Sequence, residues 1–446
     1  MHDIMTALTA AAYVNSVSAR ARASSAALII GALFALTATP APAFAQLAQR
    51  DSARAAADSL AARLRRAEEA IAVLQQQLGE QAASGVSTRS RMRLEFNGRV
   101  LVHAFRNNRR VNNADDPQFV RPDSASVLPV AALGLAIRQT TLGLIVNTRD
   151  VLGGRFVGDV DVDFYGGQQP SSGGRTFPLL RIRTARGAVK WTNGELMIGQ
   201  ESPLIASLSP ISPAAIGTPG FVTAGNLWLW LPQLRASVET GGPLSFGLQA
   251  AILASTTGDA VGLFDTDADA AERSGRPASE ARFSVKWGAD DHPSEIGCGG
   301  HVAWVAVPSA LARTDALACD ARVVLGPIEF RGEAYTGHGL RGLGGGGISQ
   351  NVSRTGNPLE DSGGWGQVNV DATSMVRAGA GCGVDEPQES GVIPGGRLRN
   401  QSCAGYTIIR PGGPLFVGAE YRRIETRYAS GSVANNHLNL SFGFEF

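Results

Sequence analysis

The chain lacks a long apolar run: the stretch from Ala26 to Leu36 is shorter than the ~20 residues a membrane-spanning helix needs, which weighs against a retained membrane anchor. Lysine occurs only at Lys190 and Lys286, and nearly all positive charge is arginine. With a formal net charge of +1, no global field draws the chain towards nucleic acid or anionic lipid. Histidine is sparse and scattered (His2, His103, His292, His301, His338 and His437), without metal-ligand spacing. The glycine-rich stretch 342–347 lacks the Lys-Ser/Thr ending of a phosphate-cradling loop and reads as a flexible connection. No motif calls for a cofactor or metal, and none marks an enzyme. The four cysteines permit disulfides without requiring them.

What is present begins with an export signal. Arg20 and Arg22 precede the apolar run from Ala26 to Leu36, followed by Pro40, Pro42 and Ala43-Phe44-Ala45. A basic flank, a short apolar core and an A-x-A site predict a cleaved signal peptide over 1–45. Cleavage removes Arg20, Arg22 and Asp3, two basic residues and one acidic, and leaves a formally neutral mature chain.

A heptad seam follows. Ala53, Ala57, Leu60, Leu64, Ala67, Ile71, Leu74 and Leu78 are spaced alternately by four and three, with Arg63, Arg65, Arg66, Glu68 and Glu69 off the seam. A stripe this narrow predicts a short coiled coil within 46–85, in the periplasm, which needs partner helices.

After Arg91 the period becomes two. Leu94, Phe96, Val100, Val102 and Ala104 alternate with Arg93, Glu95, Asn97, Arg99 and His103. The last ten residues alternate most clearly, with Leu438, Leu440, Phe442, Phe444 and Phe446 on one face. Sixteen such segments can be placed from 93–106 to 437–446, and those at 133–147 and 179–191 change phase as a bulge would make them. Short Gly/Pro/Asn turns such as Asn193-Gly194 and Gly326-Pro327 alternate with long connections, 307–316 and 429–436 among them. The expectation is an all-β transmembrane barrel of about sixteen antiparallel strands over 92–446, in a bacterial outer membrane.

On this map the wet side carries Arg93, Glu95 and Arg99; Asp159, Asp161 and Asp163; Arg181 and Arg183; Arg282 and Lys286; and Glu329, Arg331 and Glu333. The three aspartates lack the compact turn of a calcium loop and read as a charged wall. Opposed charged walls predict a mild preference for small anions, because arginine forks suit carboxylates. The uncharged stretch 202–226 contains Pro203, Leu208, Pro210, Pro213 and Pro219. Apolar and proline-stiffened, it suits packing back into the barrel as a constriction. The strand map pairs Cys382 with Cys403 and leaves Cys298 and Cys319 unpaired.

The pieces Leu94-Glu95-Phe96-Asn97-Gly98-Arg99-Val100, Arg138-Gln139-Thr140-Thr141-Leu142-Gly143, Gly194 to Gln200 and Gly363-Gly364-Trp365-Gly366-Gln367, in that order, resemble the DcaP-like trimeric porin family of Gram-negative outer membranes. The closing alternation ending in Phe446 resembles the signal read by the outer-membrane assembly machinery. The resemblance implies a homotrimer embedded in outer-membrane lipid, passing small organic anions such as dicarboxylates. The chain departs from the family pattern after Gln200, where Glu201-Ser202-Pro203 stands in place of an aromatic. A barrel enzyme such as a lipid hydrolase, or a structural or adhesive barrel, would share much of the same pattern.

Overall fold

The structure, a computed structural model, describes residues 86–87, 92–123, 131–167, 177–259, 267–289, 292–308, 310–345 and 350–446. The expected signal peptide (1–45) and coiled coil (46–85) lie outside the described residues.

Alternation with period two does build strands, but the two faces are inverted relative to a soluble protein. Leu415, Tyr421, Leu438, Leu440, Phe442 and Phe444 are exposed, whereas Glu420, Arg422, Thr426, Asn435, His437, Asn439 and Ser441 are buried. An apolar face turned outwards along every strand suits lipid, not water. The strands are β1 (Arg93–Asn107), β2 (Ala132–Ala136 and Thr141–Val151), β3 (Gly154–Asp163), β4 (Arg181–Lys190), β5 (Gly194–Glu201), β6 (Leu231–Glu239), β7 (Leu244–Leu253) and β8 (Ala278–Trp287). They continue as β9 (Ser294–Val307), β10 (Ala310–Leu325), β11 (Ile328–His338), β12 (Glu360–Asp371), β13 (Val376–Pro387), β14 (Arg399–Gly412), β15 (Leu415–Tyr428) and β16 (Gly431–Glu445). Each pairs antiparallel with the next, and β16 returns to β1 from His437↔Asn107 to Glu445↔Arg99. The result is a closed sixteen-stranded barrel without a free edge for lipid to meet.

Both expected phase changes have a local cause. Strand β2 is interrupted at 137–140, where the Thr140 amide donates to the Ile137 carbonyl (3.0 Å), yet both halves pair with β1. Between β3 and β4, Asp161 faces Thr184 and Val162 faces Ile182, so Arg183 is the extra residue of a bulge.

Two of the long connections read from sequence are strand instead. Val307 pairs with Ala310 and Tyr428 with Gly431, so 310–316 is strand and 429–436 shrinks to a two-residue turn. The outward faces there carry Arg313, Asp315 and Asn436, so polar residues fall on both faces and the hydrophobic alternation fades while the ladder continues. The longer β10 sets Cys298 directly opposite Cys319, and the two are disulfide-bonded, against the sequence reading. Cys382 is likewise bonded to Cys403 across β13 and β14.

The orientation of successive residues gives a direct test. Leu248 of β7 faces outwards and is 55% exposed, whereas Gln249 faces Arg282 across the ladder. Leu248→Arg is expected to destabilise the vesicle-inserted barrel by about 2–4 kcal/mol. Gln249→Glu, one residue on, should cost under about 1 kcal/mol, with urea unfolding in lipid vesicles as the readout.

Candidate conduction pathway

The lumen is divided by the connection 202–230, which leaves the end of β5 and crosses the barrel interior. Its backbone polar groups must find partners there, because an unpaired buried group costs about 1–3 kcal/mol. The partners are inward side chains of distant strands. The Leu204 amide donates to Glu280 of β8, and the Ser209 carbonyl accepts from Arg331 of β11 at 2.8 Å. Gln367 of β12 grips Ile211 through both its amide oxygen and nitrogen, each at 2.8 Å. Ser441 of β16 donates to the Pro213 carbonyl (2.9 Å). Gln139, turned inwards beside the break in β2 and buried under the loop, donates to Ala214 (2.8 Å) and accepts from Ile216 and Gly217 (2.6 and 2.9 Å). On the way back the Leu227 amide donates to Glu333 (3.1 Å).

Apolar packing fixes the two ends of this crossing. Leu204, Ile205, Ala206 and Leu227 join Leu253, Ala303, Ala318, Tyr335, Leu340 and Leu343 in a buried cluster inside the barrel. Near its far side, Phe221 and Ala224 pack on Trp365, with Leu208 beside them. Gly225, at φ +99°, presses against the backbone of β12, and a Cβ there would lie 2.1 Å from the Gly364 oxygen. Of the expected constriction residues, Pro203, Pro210 and Pro213 are buried and Pro219 and Leu208 half-buried along this segment.

Beneath the crossing lies a cavity of about 550 Å³, lined by Arg99, Arg183, Arg377 and Arg410, with Trp230 and Glu445 among the other wall residues. Four guanidinium groups face a single carboxylate in this lining. Glu445 is held by Arg99 (3.0 Å) and Arg410 (3.5 Å), while Arg377 meets Asp371 (3.2 Å). A ladder of arginine and aromatic rings leads down to the cavity. Arg138 lies 4.0 Å over Tyr165, Arg181 5.3 Å from both Tyr165 and Trp230, and Arg183 5.1 Å from Trp230. These are cation–π distances, and they hold the guanidinium planes in file.

The wet-face residues expected from sequence all point inwards, but most are engaged by neighbours. Asp159, Asp161 and Asp163 meet Arg186 (2.7 Å), Arg183 (3.1 Å) and Arg181 (2.6 Å). Arg282 is buried between Asp320 (2.6 Å) and Glu295 (2.7 Å). Lys286 pairs with Glu239 (2.9 Å), Arg93 with Glu95 (3.0 Å), and Glu329 with Arg331 (2.7 Å) and Arg322 (3.0 Å). Glu333 is fully buried and serves as a loop anchor. Only Arg99 and Arg183 of that set line the cavity beneath the crossing. Sequence reasoning missed Arg186, because the bulge at Arg183 reverses the phase behind it. It also missed Arg377, Arg410 and Trp230, for which only strand parity or loop position could have spoken. Gln139 and Gln367 stood inside motifs noted for resemblance, and the fold gives them a job as loop clamps.

No family model matches the chain, and no curated protein matches it by sequence. Solved structures do match. The outer-membrane channel DcaP of Acinetobacter baumannii is 18% identical over 81% of this chain and all of that one, at a TM-score of 0.63. An anion-selective porin from Comamonas acidovorans is 11% identical over 80% of this chain and all of its own, at 0.52. OmpF of Salmonella typhi, in complex with daunomycin, is 9% identical over 81% and 100%, at 0.51. At these identities the likeness establishes the fold alone, a closed antiparallel β-barrel.

The two glutamine clamps generate a prediction. Gln139→Leu with Gln367→Leu leaves five loop hydrogen bonds unmade while the apolar ends stay packed. Single-channel records of this variant should show larger current and more frequent fluctuations than the parent. An identical trace would mean that the apolar packing alone holds the crossing.

Proposed function

We propose that this chain is a bacterial outer-membrane porin passing small hydrophilic solutes passively, with a preference for small organic anions such as dicarboxylates. The observation that carries this reading is the arginine-lined cavity beneath a loop that crosses the lumen. Four arginines line a space of about 550 Å³, the scale of a small solute with its water, and guanidinium forks of this kind suit carboxylates. Most charges of the wall meet across neighbouring strands, as Arg183 does with Asp161 and Arg377 with Asp371, so the surplus at this cavity lies with Arg99 and Arg410, which share the single carboxylate Glu445. Local placement is what sets ion preference in a pore, whatever the charge of the whole chain. The long connections would face outwards and the short turns the periplasm. The terminal Phe446, whose backbone bonds Gly98 in both directions (3.0 and 3.1 Å), closes the barrel and offers the assembly machinery its strand. A homotrimer joined through the heptad seam of 53–78 completes the reading.

A reversal-potential measurement in a potassium chloride gradient tests the anion preference. The parent should favour chloride, and changing Arg99, Arg183, Arg377 and Arg410 together to glutamine should bring the permeability ratio towards one. Cation selectivity in the parent, or a ratio unmoved by the four substitutions, would remove the cavity from the account.

A further inference from the structure

Charged side chains on the outward face of the barrel are unevenly distributed. Among the described residues of β3 to β8 every outward position is uncharged, from Phe156 and Val160 to Phe283 and Val285. On the far arc the outward rows run apolar and then turn charged towards the long-loop end. On β15 the sequence is Leu415, Val417, Ala419, Tyr421, then Arg423, Glu425 and Arg427. The strands are longer here as well, 14 residues in β15 and 15 in β16 and β1, against 8 to 10 from β3 to β8. This arc therefore rises past the apolar band and meets the polar zone of the leaflet.

At that boundary four donors gather across three adjacent strands. Arg106 of β1 lies opposite Leu438 of β16, Leu438 opposite Tyr421 of β15, and Asn436 opposite Arg423. The Asn436 side-chain oxygen accepts from Tyr421 (2.9 Å) and from Arg423 (3.4 Å), so its NH2 group is left to donate. Arg106 is exposed and forms no ion pair among the described residues. The nearest carboxylate to Arg423 is Glu425, at 3.7 Å, and both side chains are about half exposed. Directly below, Leu438, Leu440 and Phe442 continue the apolar face.

We propose that this corner binds a phosphorylated lipid of the leaflet at the long-loop end. The phosphate sits on Arg106, Arg423 and the Asn436 amide, and the acyl chains run down over Leu438 and Leu440. A phosphate beside two arginines and an apolar strip is the complementary chemistry, since guanidinium forks take phosphate oxygens in pairs. The proposal rests on the membrane placement above but not on what the pore conducts.

The test uses the purified full chain in detergent, with bisphosphorylated lipid A, its dephosphorylated form and inorganic phosphate as probes, read by native mass spectrometry. The parent should hold lipid A about 30-fold more tightly than the Arg106→Gln, Arg423→Gln variant, at about tenfold or less per arginine. The Arg106→Lys, Arg423→Lys variant, which keeps the charge but loses the fork, should bind between the parent and the glutamine variant, and the dephosphorylated lipid should bind all three chains alike. Inorganic phosphate alone should not be retained. Equal lipid A binding by parent and glutamine variant, or equally tight dephosphorylated lipid, would overturn the site. Conductance is measured on the same samples: a glutamine variant that conducts like the parent is folded, and a parent that fails to conduct speaks against the porin reading alone.

Discussion

Every polar group inside a closed barrel must be answered from inside, because the outer surface faces hydrocarbon and offers nothing. That constraint organises the molecule. It turns leucine and phenylalanine outwards and buries histidine, asparagine, glutamate and arginine along the lumen wall. It also explains how a long connection can enter the interior at all. The crossing segment is uncharged and apolar in its side chains, and its backbone groups are met by wall residues such as Gln139, Gln367, Ser441 and Glu333. A wall made only of water-facing charges would have given it nothing to pack against. The cluster around Leu204 and Leu227 supplies that packing on one side, and the glycine-lined approach to β12 and β13 allows close contact on the other.

The same division of labour separates structure from selectivity in the charges. Most acidic and basic side chains of the wall neutralise one another across neighbouring strands, as Asp159 does with Arg186 and Arg282 with Asp320. Such pairs hold strands in register and keep the lumen wet without biasing it. The cavity beneath the crossing differs, since within its lining Arg99 and Arg410 share the one carboxylate Glu445, while Arg183 and Arg377 meet Asp161 and Asp371 beyond it. A chain of formal net charge +1 can therefore carry a local positive surplus inside its barrel. The stacking of Arg138, Tyr165, Arg181, Trp230 and Arg183 holds these guanidinium groups in file down to the cavity.

The barrel was legible in the sequence because its signal repeats along almost every strand. Period two, a closing run to Phe446 and turn residues at regular spacing require no tertiary knowledge. Strand ends were less legible for a physical reason. Above the apolar band β10 and β16 put Arg313, Asp315 and Asn436 outwards, so alternation loses its contrast there and the strand resembles a loop in sequence. The same loss of contrast hides the register that sets Cys298 opposite Cys319. Inward-facing residues such as Arg181 and Asp163 followed from parity, until the bulge at Arg183 hid Arg186. The cavity itself was not legible: Arg377, Arg410 and Trp230 come together only through closure of the barrel and the path of the crossing segment.

The central claim is that residues 202–230 divide the lumen and define the cavity beneath them. Single-channel conductance of a chain lacking 206–215 addresses it most directly. The deletion removes the contacts of Ser209, Ile211, Pro213 and Ala214 with the wall while leaving all sixteen strands intact. A folded, heat-stable variant with clearly higher conductance than the parent is the result this account predicts. Unchanged conductance in such a variant would contradict it, and would place the limiting constriction elsewhere in the barrel.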